Sequence, residues 1–189
     1  MLKTTLPHDH FQKKKYAVNM AQANIYALPF MSTGLLLAAI FSAVWGWSSL
    51  RDGFNIFMEL KYFLPALILG ILVHELVHGL TWQLAARLPF SQIKYGFQLK
   101  TLTPYAHCKV PIDIAHYRLG AAMPLILVGL LPSVFAVATG SGFWAIFGSF
   151  FTIAAGGDML ILWLLRNVKS GSFVEDHPTE AGCYVYENE

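Results

Sequence analysis

Several apolar runs in this chain are long enough to cross a lipid bilayer, and they restrict its possible folds more than any other feature. A spanning helix needs about 20 consecutive apolar residues. Such runs cover residues 25–47, 62–88, 119–139 and 143–166. The chain is 56% hydrophobic and only 13% charged, whereas soluble domains carry about 25% charged residues. The sequence therefore predicts a polytopic membrane protein, with one domain over residues 1–189.

The longest polar interval lies between the second and third predicted spans and has a different periodicity. Apolar residues in it alternate with polar ones, at Ile93, Tyr95, Phe97 and Leu99. Alternation with period two is typical of a β-strand. We therefore expect an all-α membrane protein with four transmembrane helices and a small β-hairpin at about residues 91–110. Residues 167–189 are expected to form a polar C-terminal tail.

The placement of the positive charges predicts the orientation. Of the 13 Lys and Arg residues, all but Arg51 and Lys61 lie before the first span, from the end of the second span to the start of the third, or from the end of the fourth span onward. Because Lys and Arg are enriched on the cytoplasmic side, we expect both termini there, most simply at a bacterial cytoplasmic membrane. Cys108 and Cys183 would then be free thiols in a reducing compartment. The net charge of +2 says little about partners, and we expect no nucleic-acid partner for a protein embedded in lipid.

Within the second predicted span, His74, Glu75 and His78 spell H-E-x-x-H. On a helix the two histidines lie one turn apart and face the same way, so both imidazoles can bind one metal ion. Glu75 then lies beside the ion, where its carboxylate can accept a proton from an attacking water. Ionisable side chains at membrane depth are costly and mark functional sites. The motif therefore predicts hydrolytic zinc chemistry inside the membrane.

A catalytic zinc site usually has three protein ligands, so a third must come from elsewhere in the chain. The candidates are His107, Cys108, Asp113, His116, Asp158 and His177. The helical rise places His78 roughly 13 Å and Asp158 roughly 12 Å inside the same membrane edge. Asp158 is also the only acidic residue in the third or fourth predicted span. We therefore expect Asp158 as the third ligand, and His107 as a residue that contacts substrate or supports the site.

Four short segments, taken in order, resemble one known family. They are His-Glu-Leu-Val-His-Gly at 74–79, Tyr-Ala-His-Cys-Lys at 105–109, Gly-Gly-Asp at 156–158, and Asp-His-Pro at 176–178 with Gly182. The set resembles the "putative zincin peptidase" family of small bacterial membrane proteins and covers roughly residues 61–186. The arrangement is also similar to the site-two intramembrane metalloproteases, in which Gly follows the metal-binding Asp. In this chain Met159 follows Asp158.

The residues and the resemblance together predict a zinc metalloendopeptidase of the H-E-x-x-H type. Zn²⁺ would be its cofactor, and a peptide or a membrane protein in the lipid bilayer would be its substrate. One alternative is a non-catalytic membrane protein with a structural or regulatory metal, which a fourth protein ligand would favour. The other is a metal transporter, although the first and third predicted spans contain no His, Asp, Glu or Cys. The tail could also cover the site as a lid, and His8, Asp9 and His10 form a second group of metal-binding residue types.

Overall fold

The computed structural model of the chain describes residues 11–98 and 103–188, so the group His8, Asp9 and His10 lies outside the described residues. Within these ranges the chain forms six α-helices: α1 (Met20–Met58), α2 (Leu60–Ala85), α3 (Ile114–Pro124), α4 (Leu131–Thr139), α5 (Gly142–Ala154) and α6 (Gly156–Leu164). The same ranges contain six strands: β1 (Phe11–Val18), β2 (Ile93–Gln98), β3 (Thr103–Cys108), β4 (Ile112–Asp113), β5 (Phe173–Asp176) and β6 (Ala181–Asn188).

Three helices are long and apolar enough to cross a membrane. They are α1, α2 and the continuous helix Ile114–Thr139, in which a π-helical stretch joins α3 to α4. The helices α5 and α6 meet the same criterion only as a pair, which is bent by 41°. Three or four apolar helices therefore form the membrane part of the protein.

The first helix extends well beyond the span that the sequence predicts at residues 25–47. It continues to Met58, so most of the predicted connection to the second span is helical. The break in α1 occurs at Gly46, whose φ of 86° lies in the left-handed region that glycine adopts without steric cost. After the break, Leu50, Gly53 and Phe57 face the protein interior at helical spacing. The hydrophobic stripe therefore continues across the kink.

A four-stranded antiparallel sheet joins the two ends of the chain, in the order β1-β6-β5-β4. The expectation of an all-α protein whose strands form only one hairpin is therefore corrected. The inner strands bury Val174, Cys183 and Val185 completely. Because buried residues alternate with polar ones along β6, one face of the sheet packs on the helices. The predicted polar tail is thus a structural element, and it forms the sheet together with the N-terminal segment.

Three lysines of β1 form ion pairs with acidic residues of the C-terminal region. Lys13 pairs with Glu175 at 2.8 Å, and Lys14 pairs with Glu187 at 2.6 Å. Lys15 pairs in the same way with Glu180. The run of three lysines therefore contributes to the contact between the ends of the chain.

Strands β2 and β3 form a separate two-stranded antiparallel hairpin. In its register Tyr95 lies opposite Ala106, and Lys94 lies opposite His107. Cross-strand partners share a face of a hairpin and successive residues alternate between faces. The face that carries Tyr95 and Ala106 packs against the buried cluster beneath the sheet, and His107 belongs to the opposite face.

Candidate metal centre

Helix α2 has two opposite faces, and along each of them the residues named here recur every four positions. The exposed face is apolar and carries Leu64, Ile68, Leu72 and Leu76. The opposite face is buried and carries Gly70, His74, His78 and Trp82. His74 and His78 are 9% and 6% exposed, respectively, and their ring centroids lie 5.0 Å apart. The periodicity of the helix therefore directs both imidazoles into the protein while its other face is apolar enough for lipid.

The carboxylate of Asp158 lies between these two imidazoles. Its Oδ2 atom is 3.1 Å from Nε2 of His74, and its Oδ1 atom is 3.3 Å from Nε2 of His78. Asp158 is in the first turn of α6, just after the bend that separates this helix from α5. An acidic side chain is favoured there by the N-terminal end of the helix dipole.

These three side chains fit the requirements of a zinc ion. One ligand atom from each of His74, His78 and Asp158 lies within 4.8 Å of the other two. Ligand atoms about 2.0–2.2 Å from one tetrahedral ion are about 3.3–3.6 Å apart, close to the observed separations. Two imidazoles and one carboxylate also form a donor set typical of catalytic zinc. Within residues 11–98 and 103–188 this is the one group of at least three His, Cys, Asp or Glu residues with such geometry.

The orientation of His78 is fixed by groups outside the cluster. Its Nδ1 atom lies 2.9 Å from the carbonyl oxygen of Gly120 in α3. Because a carbonyl can only accept, Nδ1 carries the proton and leaves the lone pair of Nε2 free for a metal. The indole of Trp82 stacks on the His78 ring at 5.4 Å and donates to the carbonyl oxygen of Tyr117. Helix α3 therefore holds one predicted ligand in the tautomer that metal binding requires.

Glu75 lies between the hairpin and an apolar cavity. Its carboxylate accepts a hydrogen bond from the backbone N–H of Ala106 in β3. The cavity has a volume of about 250 Å³ and is lined by His74, Glu75, Pro104 and the apolar residues Leu67, Ile71, Phe150, Phe151 and Ala154. Among the described residues, the ionisable groups in this lining are therefore His74 and Glu75 of the motif.

The other candidate ligands have different partners. Asp113 caps the N-terminus of α3 through the Ala115 N–H at 2.8 Å. Cys108 is buried, and its thiol donates to the carbonyl oxygen of Val110. Nδ1 of His177 accepts the backbone N–H of Glu180 at 2.9 Å. These three residues and His116 lie outside the cluster of His74, His78 and Asp158.

A second, largely buried carboxylate is that of Asp176 in β5, which belongs to the Asp-His-Pro segment of the resemblance but was given no role of its own from the sequence. It accepts the Tyr117 hydroxyl at 2.5 Å and the Cys108 backbone N–H at 2.8 Å. Nδ1 of His107 lies 3.7 Å from its Oδ2 atom. Burial raises the pKa of Asp176 above its ordinary value, although the His107 charge and the Tyr117 hydrogen bond act in the opposite direction. Strand β5 thus fixes both β3 and α3, the two elements that contact Glu75 and His78.

Comparisons with known proteins agree with this arrangement. A family model described as "Putative zincin peptidase" matches residues 67–173, which is more than half of the chain. An uncharacterized 24.7 kDa protein of Pyrococcus woesei is 31% identical over 157 residues, a match that covers 80% of this chain and 66% of that relative. No solved structure gives a significant match. The matched region contains the H-E-x-x-H motif, the hairpin and Asp158, and the chain belongs to the family described as "Putative zincin peptidase".

Proposed function

We propose that the protein is a membrane-embedded zinc metalloendopeptidase. The observation that carries this proposal is the convergence of His74, His78 and Asp158 on one point beside Glu75. The two histidines and the aspartate would hold the ion with three protein ligands, which leaves one position open in a tetrahedral site. An open position is the mark of a catalytic zinc site rather than a structural one.

Glu75 is the general base in this proposal. Bound zinc would polarise the peptide carbonyl and make water a stronger nucleophile at neutral pH. Glu75 accepts a proton from the attacking water and passes it to the leaving amine. The Ala106 N–H holds the Glu75 carboxylate from the hairpin side, so the base is oriented before a substrate arrives.

The proposed substrate is a peptide or a segment of a membrane protein that reaches the site from the bilayer. The cavity beside Glu75 has mainly apolar walls from α2 and α5, and apolar walls suit apolar side chains. The hairpin can bind an extended substrate as an additional strand, through main-chain hydrogen bonds. Among the described residues β2 and β3 pair only with each other, so the hairpin has an edge that no other strand covers.

We also propose that both chain ends face the cytoplasm. The pairing of β1 with β6 over eight register positions requires that the segments before the first helix and after the last one lie on the same side. The excess of Lys and Arg in these segments and in the hairpin supports the cytoplasmic side. Reporter fusions to either end would be active on the cytoplasmic side only, and activity on the opposite side would contradict the proposal.

The decisive experiment measures zinc content and cleavage in the same detergent-purified samples. Glu75→Gln should retain one zinc per chain and lose about 10²–10⁴-fold in cleavage rate, because the base is gone while the ligands remain. Glu59→Gln is a matched control, since this acid lies at the exposed start of α2, where it forms an ion pair with Lys61. Equal cleavage by the wild-type protein and Glu75→Gln would refute the mechanism. Bound zinc without cleavage by the wild-type protein would support the non-catalytic alternative.

A further inference from the structure

The hydroxyl of Tyr95 is buried, and no group in the described part of the chain forms a hydrogen bond with it. Buried polar groups in native proteins nearly always have a partner, because leaving one unpaired sacrifices its hydration without replacement. An unpaired hydroxyl near a candidate active site is therefore a candidate for a role in the reaction.

The position of this hydroxyl is set by a glycine of α2. A Cβ atom on Gly79 would overlap with the Tyr95 hydroxyl, so the phenol occupies the space that this glycine leaves open. Gly79 follows Glu75 by four residues, which places the two on the same face of the helix, one turn apart. The Tyr95 hydroxyl thus lies against the helical turn that follows Glu75.

The hairpin register brings a second group to the same carboxylate. Tyr95 lies directly opposite Ala106, and the Ala106 N–H donates to Glu75. The ring of Phe90 packs on the Tyr95 ring at 5.7 Å between centroids, which helps to fix the phenol. One cross-strand pair of the hairpin therefore flanks the proposed general base.

The phenol is also in the correct protonation state to donate. Burial raises the pKa of Tyr95 above its ordinary value, and the nearby charge of Glu75 raises it further. Tyr95 therefore keeps its proton at neutral pH. The Glu75 carboxylate can accept several hydrogen bonds, of which the Ala106 N–H supplies one.

We propose that Tyr95 is a positioning residue whose hydroxyl donates a hydrogen bond to the Glu75 carboxylate while Glu75 transfers the proton. Together with the Ala106 amide it holds the carboxylate in the orientation that faces the attacking water. This inference rests on the proposed function. His107 lies on the other face of the hairpin, beside Asp176. Ile93 and Tyr95 both pack against Gly79 in the turn that follows Glu75, and of these two side chains only that of Tyr95 can donate a hydrogen bond.

The test compares Tyr95→Phe with Tyr105→Phe, a matched loss of one hydroxyl. Tyr105 is on the opposite face of the same hairpin, where its ring covers Gly96. Tyr95→Phe should lower kcat by about 10–100-fold, the effect of losing one hydrogen bond to a charged group, with KM unchanged. It should retain zinc and melt no lower than the wild-type protein, because it removes an unpaired buried hydroxyl. Tyr105→Phe should keep the kcat of the wild-type protein.

A second readout does not depend on cleavage. Cobalt(II) is added as the probe metal, and its visible absorption band is compared with and without the Tyr95→Phe change. The change should alter the band when it is made in the wild-type protein. It should have no effect when it is made in the Glu75→Gln variant, because Tyr95 acts through Glu75. Equal band changes in both backgrounds, or none in either, would overturn the inference. So would an unchanged kcat, or a loss of activity that merely follows a lower melting temperature. If the wild-type protein cleaves nothing, the proposed function fails, and the cobalt spectra still decide whether Tyr95 acts through Glu75.

Discussion

Two largely buried aspartates, Asp158 among the helices and Asp176 in the sheet, have opposite surroundings, and their side chains are 19% and 14% exposed. Asp158 faces two imidazoles at 3.1 and 3.3 Å. Asp176 accepts two fixed donors, the Tyr117 hydroxyl and the Cys108 N–H. A hydroxyl and an amide can satisfy a carboxylate permanently, whereas the Nε2 atoms of neutral imidazoles can share a cation with it.

The difference shows how one chain can use the same side chain for chemistry and for structure. Asp176 is satisfied by the protein itself and joins the tail to β3 and α3. Asp158 has partners that suit a metal ion, and it lies at the bend between two apolar helices. A buried carboxylate is therefore best interpreted from the chemistry of its partners. The predictions below test this contrast, beginning with the largest expected effect.

Asp158→Asn should lower zinc affinity by more than about 100-fold, because an amide oxygen without charge replaces an anionic ligand. Mass spectrometry of the purified variant and titration with a zinc indicator would measure the loss. Asp176→Asn is the matched control and should keep its zinc. If the two variants bound zinc equally well, the contrast between the two aspartates would not hold.

Asp176→Asn should instead lower the free energy of unfolding by about 1–3 kcal/mol. The NH₂ group of asparagine cannot accept a hydrogen bond, so either the Tyr117 hydroxyl or the Cys108 N–H is left without its partner. Chemical unfolding in detergent, followed by tryptophan fluorescence, would measure the change. An unaffected unfolding midpoint together with lost zinc would assign Asp176 to the metal centre instead.

Alkaline pH should lower the free energy of unfolding through Cys108, whose backbone N–H donates to Asp176. Burial raises the pKa of the neighbouring Cys108 thiol to about 11 from 9.0. The folded state favours the neutral thiol. The contribution of Cys108 to the free energy of unfolding is therefore complete below about pH 9 and is lost as the pH rises toward 11. At pH 9.5 the loss amounts to about 1 kcal/mol, and Cys108→Ala should remove it from the pH profile of unfolding. An identical profile in the variant would show that Cys108 does not contribute.

The ion pairs of β1 should contribute least to the free energy of unfolding. Lys13 has its pKa raised to about 12, chiefly by its hydrogen bond with Glu175, but its side chain is 45% exposed. Solvent screening limits such a pair to about 0–1 kcal/mol. Lys13→Gln should therefore shift the unfolding midpoint only slightly, and the shift should shrink further at high salt. A loss as large as that of Asp176→Asn would mean that the sheet depends on surface charge.

The apolar helices and the metal-site motif could be predicted from the sequence because both are local patterns. The spacing of His74 and His78 determines that they share a helix face, whatever the rest of the chain does. The prediction of Asp158 as the third ligand required a second argument, which was its depth in an apolar segment. In the structure its carboxylate lies beside both imidazoles. The assignment to the zincin peptidase family is confirmed by the family match.

The terminal sheet could not be predicted in the same way, since β1 pairs with residues more than 160 positions later. Lys13, Lys14 and Lys15 gave the appearance of a solvated terminus, because their acidic partners are distant in sequence. One usable signal was the alternation in β6, where Cys183 and Val185 are buried between tyrosines. Tyr95 belonged to a recognised alternation, but its role depends on Gly79, and sequence spacing does not relate the two.

The pairing of β1 with β6 also has a consequence for biosynthesis. Strand β1 leaves the ribosome first, yet its partner follows only after all the apolar helices have been made. Long-range pairings of this kind form late. Asp176 can reach Tyr117 and Cys108 only when β5 docks beside β6. The nascent protein would therefore insert its apolar helices before β5 and β6 complete the support of β3 and α3.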